Sequence, residues 1–183
     1  EQSSLYITLL AAFCALLHGR TGQEDMLVCS PFASRDRAEF EGLIGYLNTI
    51  VVMRLDLAGD PAFRELVRRV RRVAFEAFEN QQVPLQRLAE LPELARVPLT
   101  RAMFSYQDTS SRTLDLPGIV ATPVDVRKDA SDFDLAFYAE GTGDGGLGVV
   151  VEFNADLFDD ATVERLVADY ARVLEAIAAD PNR

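Results

Sequence analysis

Side chains able to do acid–base or nucleophilic chemistry are scarce in this 183-residue chain, which has one histidine, His18, and two cysteines, Cys14 and Cys29. His18 falls near the end of an apolar stretch that reads as a helix, where an imidazole commonly meets the dipole or the last carbonyls. No serine or cysteine nucleophile with an acid partner stands near it. The chain therefore holds no complete nucleophilic or general acid–base set, and no catalytic residue is assigned. The two cysteines form no Cys-x-x-Cys and no obvious pair, so free, buried thiols in a reducing cytoplasm are expected.

Two further patterns look chemical and fail on context. The run Gly141-Thr142-Gly143-Asp144-Gly145-Gly146-Leu147-Gly148 contains a formal G-x-G-x-x-G through Gly143, Gly145 and Gly148. A dinucleotide fingerprint must leave a strand and open a helix, because the helix N-terminus holds the pyrophosphate. Here Val149-Val150-Val151-Glu152-Phe153 follows, which is a strand, so the glycines supply a hairpin turn. Asp125, Asp129, Asp132 and Asp134 crowd a short acidic stretch without the glycine turn and distal glutamate of a calcium loop. Turn and strand-cap roles suit them, and no metal site is assigned.

Binding chemistry is better represented. Arg64, Arg68, Arg71 and Arg72 line one side of a predicted long helix in an otherwise acidic chain. Their spacing fits a solvated face paired locally with Glu65 and Glu76. It equally fits a docking patch for an acidic partner. Short polar residues also stand at strand ends: Ser30 in Ser30-Pro31-Phe32-Ala33-Ser34-Arg35, and Asn48-Thr49 feeding the β-branched run Ile50-Val51-Val52-Met53-Arg54.

The elements that must position these residues follow from periodicity and punctuation. Residues 5–17 read as a core helix with Leu5, Leu9, Ala12, Phe13 and Leu16 at helical spacing, capped by Ser3 or Ser4 and ended in the 19–22 region. Strands are expected over 26–32, 48–57 and 102–107, with a helical turn over 35–43. Asp60-Pro61 is expected to cap and open a long helix with Phe63, Leu66, Val67, Val70, Ala74, Ala77 and Phe78 on its buried stripe. A shorter helix over 84–91 breaks at Pro92, 109–117 is a loop, and 119–126 reads as a strand bounded by Pro123. Residues 133–140 and 148–153 form a hairpin around the glycine turn. Asp159 caps a final helix with Val163, Leu166, Val167, Tyr170, Val173, Leu174 and Ile177 on one face. The pattern predicts one α+β domain over residues 1–183, a mixed β-sheet with helices packed on one face.

Composition excludes several partners. The hydrophobic content of 49% with 26% charged residues is that of a globular chain. A net charge of −11 argues against nucleic acid and against an anionic membrane surface. Residues 5–17 are too short to span a bilayer and lack a basic leader. The missing initiator Met and a helix starting within the first residues suggest a piece of a longer polypeptide.

Read together, Ser30-Pro31-Phe32-Ala33-Ser34-Arg35, Glu41-Gly42-Leu43-Ile44-Gly45-Tyr46-Leu47-Asn48-Thr49 and Asn80-Gln81-Gln82-Val83-Pro84-Leu85 resemble segments of nonribosomal peptide synthetase condensation domains. Gly22-Gln23-Glu24-Asp25, Arg96-Val97-Pro98-Leu99 and Glu152-Phe153-Asn154-Ala155-Asp156-Leu157-Phe158-Asp159 keep the same order, so the similarity covers essentially the whole chain. Gly45-Tyr46-Leu47-Asn48 is one residue shorter than the family's segment. Asp129 and Asp134 also match a D-x-x-x-x-D pattern of heterocyclising relatives, but in the wrong half. The resemblance implies the C-terminal lobe of a chloramphenicol-acetyltransferase-like pseudodimer, without the lobe that carries the His-His-x-x-x-Asp-Gly motif.

That family joins an acyl or peptidyl thioester to the amine of an aminoacyl thioester, both tethered by phosphopantetheine to carrier proteins. The resemblance implies that Ser30, Asn48 and Thr49 shape the acceptor side of the channel, and that the chain alone is inactive. Implied partners are the N-terminal lobe, peptidyl or acyl carrier proteins that could dock on Arg64, Arg68, Arg71 and Arg72, and an adenylation domain; no cofactor is bound by the lobe itself. A non-catalytic recruitment module of the same fold is the alternative. An epimerising relative fits less well, because Asn48-Thr49 follows the condensing pattern.

Overall fold

The computed structural model describes residues 3–35, 38–107, 117–122, 124, 130–142 and 145–182. Its first helix, α1 (Leu5–Thr21), starts where the Ser4 hydroxyl accepts the Ile7 N–H at 3.3 Å. It ends where Gly22 takes a left-handed φ of 68° and donates its N–H to the His18 carbonyl at 2.7 Å. Gly22 rather than Gly19 makes the turn, so the helix runs four residues beyond its last expected position. Leu5, expected in the core, is 53% exposed. The rest of α1 is apolar nearly all round, with Ile7, Leu9, Leu10, Ala11, Ala12, Phe13, Cys14 and Leu16 buried. Such a helix must be covered on every side.

Five strands provide the floor: β1 (Asp25–Ala33), β2 (Asn48–Asp56), β3 (Ala102–Gln107), β4 (Leu135–Gly141) and β5 (Leu147–Phe153). They lie in the order β2-β1-β3-β4-β5. The β1–β2 and β4–β5 pairs are antiparallel, and β1–β3 and β3–β4 are parallel, so the sheet is mixed. The glycine-rich segment makes the β4–β5 turn as expected, with Gly145 at φ 84°; Gly143 lies outside the described residues.

Two long helices flank α1 on the same side of the sheet. α3 (Phe63–Glu79) buries Phe63, Leu66, Val67, Val70 and Ala74. α5 (Asp160–Ala179) is capped by Asp159, whose carboxylate accepts the Thr162 N–H at 2.6 Å. That bond holds the Asp159 carboxyl below its ordinary range. Tyr170 ties α5 to α1 by donating its buried hydroxyl to the Leu9 carbonyl at 3.0 Å. An Arg20–Asp169 ion pair, with Arg172 of α5 also on Asp169 at 2.8 Å, joins the last turn of α1 to the middle of α5.

Two of the expected elements need correction. Asp60-Pro61 does not cap α3: the helix begins at Phe63 after Ala62, with no side-chain cap. Gly59 and Asp60 both have positive φ, 84° and 48°, so they turn the chain out of β2 and leave the Asp60 carboxylate making no cap. The strand expected over 119–126 is also absent from its described part. Ile119 forms an isolated bridge and Val120, Ala121, Thr122 and Val124 have no regular structure, while residues 123 and 125–126 lie outside the described residues. The expected loop over 109–117 falls outside the described residues except Pro117. The short helices α2 (Ala38–Glu41) and α4 (Leu85–Ala89) lie within the stretches expected to be helical, and a 3-10 turn that the sequence did not announce follows at Pro92–Leu94.

The two faces of the sheet differ. Met26 and Val28, Met53 and Leu55, Phe104, and Leu135, Phe137 and Ala139 point into the helices and form the main core. The opposite parity carries Cys29, Met103 and Ala136, with Ile50, Val52, Phe133 and Tyr138 against them, and no helix side chain belongs to that second cluster.

Removing only the hydroxyl in Tyr170→Phe should cost about 1–2 kcal/mol. Emptying the site in Tyr170→Ala should cost about 3–5 kcal/mol. Urea unfolding monitored by circular dichroism measures both, and equal costs for the two would show that the bond to Leu9 contributes nothing.

Candidate functional site

The residues read as channel-forming come to one end of the sheet but not to one surface. Antiparallel register sets Asn48 opposite Ala33, Thr49 opposite Phe32, and Ser30 opposite Val51. Because side chains alternate across a strand, Asn48 shares the helix-free face with Ile50 and Val52, and Thr49 shares the helix face with Val51, Met53 and Leu55. Asn48 is exposed and Thr49 half-buried.

Ser30 is fully buried and committed. Its hydroxyl donates to the Phe104 carbonyl at 2.7 Å and accepts from the Tyr6 hydroxyl at 2.8 Å. The β1–β3 ladder registers only at Cys29↔Met103, so Ser30 supplies by side chain a bond across the parallel seam. It pins α1, β1 and β3 together. Any influence on a channel passes through that bracing, because the hydroxyl itself is shielded from the surface. Burial pushes the Tyr6 phenol up to about 12 despite the bond to Ser30.

The helix-free face also carries a polar pair that motif spacing did not reveal. Tyr138 donates its hydroxyl to a Glu152 carboxylate oxygen at 3.1 Å. Burial, then the Glu152 charge and the bond to it, raise the Tyr138 phenol to about 12, with smaller contributions from Asp132 and Tyr46. Ser105, 4% exposed, pairs in register with Tyr138. The alternation within β3, β4 and β5 put Ser105, Tyr138 and Glu152 on the polar parity, but only strand order and register make them neighbours. Asp125 and Asp129 of the acidic stretch lie outside the described residues.

Several apolar side chains stand exposed among the described residues. Ile44 and Val120 are almost fully exposed, Tyr46 and Val124 largely so, and Leu43 half so.

None of these groups is an activated nucleophile. Burial raises the Cys29 thiol to about 12 and the Cys14 thiol further, so both are protonated at neutral pH. Cys29 donates its thiol to the Leu99 carbonyl at 3.0 Å. His18 lies elsewhere, at the C-terminal end of α1. Its Nδ1 sits 2.8 Å from the Gln23 carbonyl, an acceptor, so Nδ1 carries the proton. It lines a 370 Å³ cleft with Asp60 and Asp180 that includes no serine, threonine or cysteine. Among the described residues, no group of three or more His, Cys, Asp and Glu side chains is placed to hold a metal ion. No helix among them is long and apolar enough to cross a membrane.

The arginines of α3 show the local pairing that their spacing allowed. Arg68 pairs with Glu65 at 2.8 Å and Arg72 with Glu76 at 3.5 Å. Arg71 instead lies over the Phe75 ring, 5.6 Å from its centroid. Arg69, absent from the sequence-based set, donates to the Asp56 and Ala58 carbonyls at 3.2 and 3.0 Å and anchors α3 to the end of β2.

Comparison with known proteins gives these features a family. The Condensation domain family model matches residues 1–183. Chondramide synthase cmdD of Chondromyces crocatus is 41% identical over all of this chain, which spans 5% of that protein. Phosphinothricin tripeptide synthetase PhsB of Streptomyces viridochromogenes is 40% identical over 96% of this chain and 15% of its own length. A solved complex of the X-domain and OxyB from teicoplanin biosynthesis contains a similar fold, with a TM-score of 0.81 and 27% identity over all of this chain and 41% of that one.

Ser30→Ala should cost about 1–3 kcal/mol, because it strands the Phe104 carbonyl's partner site and a buried Tyr6 hydroxyl; Asn48→Ala should stay within about 0.5 kcal/mol. Denaturant midpoints of the two variants check this ordering. Alkaline titration gives a second test. The folded pKa of Tyr138 exceeds the unfolded value of about 10, so its stabilising contribution is complete below about pH 10 and is lost as pH rises through about 12. Denaturant midpoints followed across that window should fall, and less steeply in Tyr138→Phe.

Proposed function

The chain belongs to the condensation-domain family and is part of a nonribosomal peptide synthetase condensation domain, and from that premise we propose that it is the C-terminal of two lobes flanking an acyl-transfer channel. In that reaction an amine on one carrier-bound aminoacyl thioester attacks the carbonyl of a second thioester. The C–N bond forms, the C–S bond breaks, and the amine proton is handed on as the carrier thiol departs. This lobe supplies a wall of the channel, and the proton-handling histidines belong to the other lobe. Phosphopantetheine arms of carrier proteins bring both substrates, with an adenylation domain as neighbour. The two free, buried thiols favour a cytoplasmic setting.

The observation that carries this reading is the asymmetry of the sheet. One face is filled by helices. The other bears Asn48, Ser105 and the Tyr138–Glu152 pair, and among the described residues nothing on it is activated to move a proton. Asn48 is the channel residue placed to meet substrate directly, while Thr49 and Ser30 set its strand from the helix side. Arg64, Arg68, Arg71 and Arg72 offer a carrier-docking face, since exposed pairs such as Arg68–Glu65 hold little net energy and exchange partners readily.

A second reading, a recruitment module without catalysis, is supported by the likeness to the X-domain, which is seen in complex with OxyB. Activity separates the two. The purified chain given both carrier-bound thioesters should show no condensation, and the same chain joined to its upstream lobe should turn over. Turnover by the chain alone would falsify the two-lobe reading, and inactivity of the joined protein would favour recruitment. In the joined protein, Asn48→Leu should slow condensation roughly ten- to a hundredfold by displacing bound substrate.

A further inference from the structure

The chain reaches Asn48 through a connection, Ser34 to Leu47, that is long for a hairpin, and one side chain organises it. At its base the Ser34 N–H donates to the Leu47 carbonyl at 2.8 Å, one step beyond the last register pair, Ala33 with Asn48. Within it stands α2, too short to be stable in water by itself and ending in carbonyls without helical partners. Arg35 takes up those carbonyls. Its Nη1 donates to Phe40 at 2.6 Å, to Leu43 at 2.9 Å and, more weakly, to Glu41 at 3.3 Å.

This use of a guanidinium sets Arg35 apart. Arg54, Arg68, Arg72 and Arg87 meet carboxylates at the surface, where an ion pair contributes little. Arg35 instead places a charged donor on three main-chain oxygens, and bonds of that kind are the stronger ones. Between the held carbonyls of Leu43 and Leu47 the chain arches through Ile44, Gly45 and Tyr46 without regular structure. Ile44 and Tyr46 are exposed, so packing does little to hold the arch. Its order depends on the bonds at its two ends, and Asn48 follows directly after it.

We propose that Arg35 is a positioning residue for the acceptor substrate, holding the arch and the entry to Asn48 in one conformation. The inference rests on the reading of Asn48 as a channel residue of a two-lobe enzyme. Without the grip, only the fraction of molecules with the arch in place binds acceptor. Apparent affinity then falls by that fraction, while turnover at saturation is kept.

Two substitutions test this. R35M keeps an apolar stem and removes every donor, and R35K restores three donors on one ammonium. In the chain alone, backbone NMR relaxation at Ile44, Tyr46 and Leu47 should show order lost in R35M and largely regained in R35K. Thermal unfolding close to that of the unaltered chain confirms that both variants keep the fold. In the chain joined to its upstream lobe, R35M should raise KM for the carrier-bound aminoacyl acceptor roughly three- to tenfold. Both kcat and the KM of the acyl donor should stay within about twofold, and R35K should recover most of the loss. Unchanged order at the arch in R35M overturns the proposal, and so does R35K behaving like R35M. Equal losses for donor and acceptor, which a merely structural role would give, overturn it too. If the joined protein turns over and R35M leaves the acceptor KM unmoved, this inference alone fails. A joined protein that is inactive without any substitution sinks the two-lobe reading, and the role of Arg35 falls with it.

Discussion

The burial of α1 is the constraint from which the rest of this fold follows. A helix with Leu9, Leu10, Ala11, Ala12, Phe13 and Cys14 all buried has no face to offer water, so it needs a floor and two flanks. The sheet gives the floor, where Phe13 meets Phe104 at 5.4 Å and Phe137 at 4.9 Å. α3 and α5 give the flanks. Exposing such a helix would leave several side chains in water at roughly 1.5–3 kcal/mol each, far more than any surface ion pair in the molecule contributes.

Polar contacts then fix how these layers register. Hydrophobic burial is non-directional and would tolerate α1 sliding along the sheet. Tyr170 on the Leu9 carbonyl and Tyr6 on Ser30 remove that freedom at opposite sides of the helix. Both phenols are buried, so leaving either unpaired is costly, which makes the contacts selective for one arrangement. Ser30 does the same for the β1–β3 seam through Phe104. A residue whose type suggested substrate contact thus serves as the bracket behind the surface on which Asn48 stands.

The same division of labour explains the helix-free face. The three long helices pack together on one side of the sheet, and among the described residues the other side keeps the small Cys29, Met103 and Ala136 cluster. Polar groups there pair with one another, as Tyr138 does with Glu152, and the apolar segment around Ile44 remains in solvent. A sheet filled on one face and left receptive on the other is suited to lining a channel.

The chain alone determined its elements wherever a local signal was strong. A serine at 3 or 4 and the glycine region at 19–22 bounded α1, Asp159 capped α5, and the glycine run turned the β4–β5 hairpin. Asp60-Pro61 misled, because Gly59 and Asp60 were needed for a left-handed turn out of β2, and a residue making that turn is not free to cap. The order β2-β1-β3-β4-β5 and its register were left to tertiary structure. Strand pairing joins residues far apart in the chain, and alternation within one strand does not say which face meets water. Only that pairing separated Asn48 from Thr49, buried Ser30, and set Tyr138 beside Glu152.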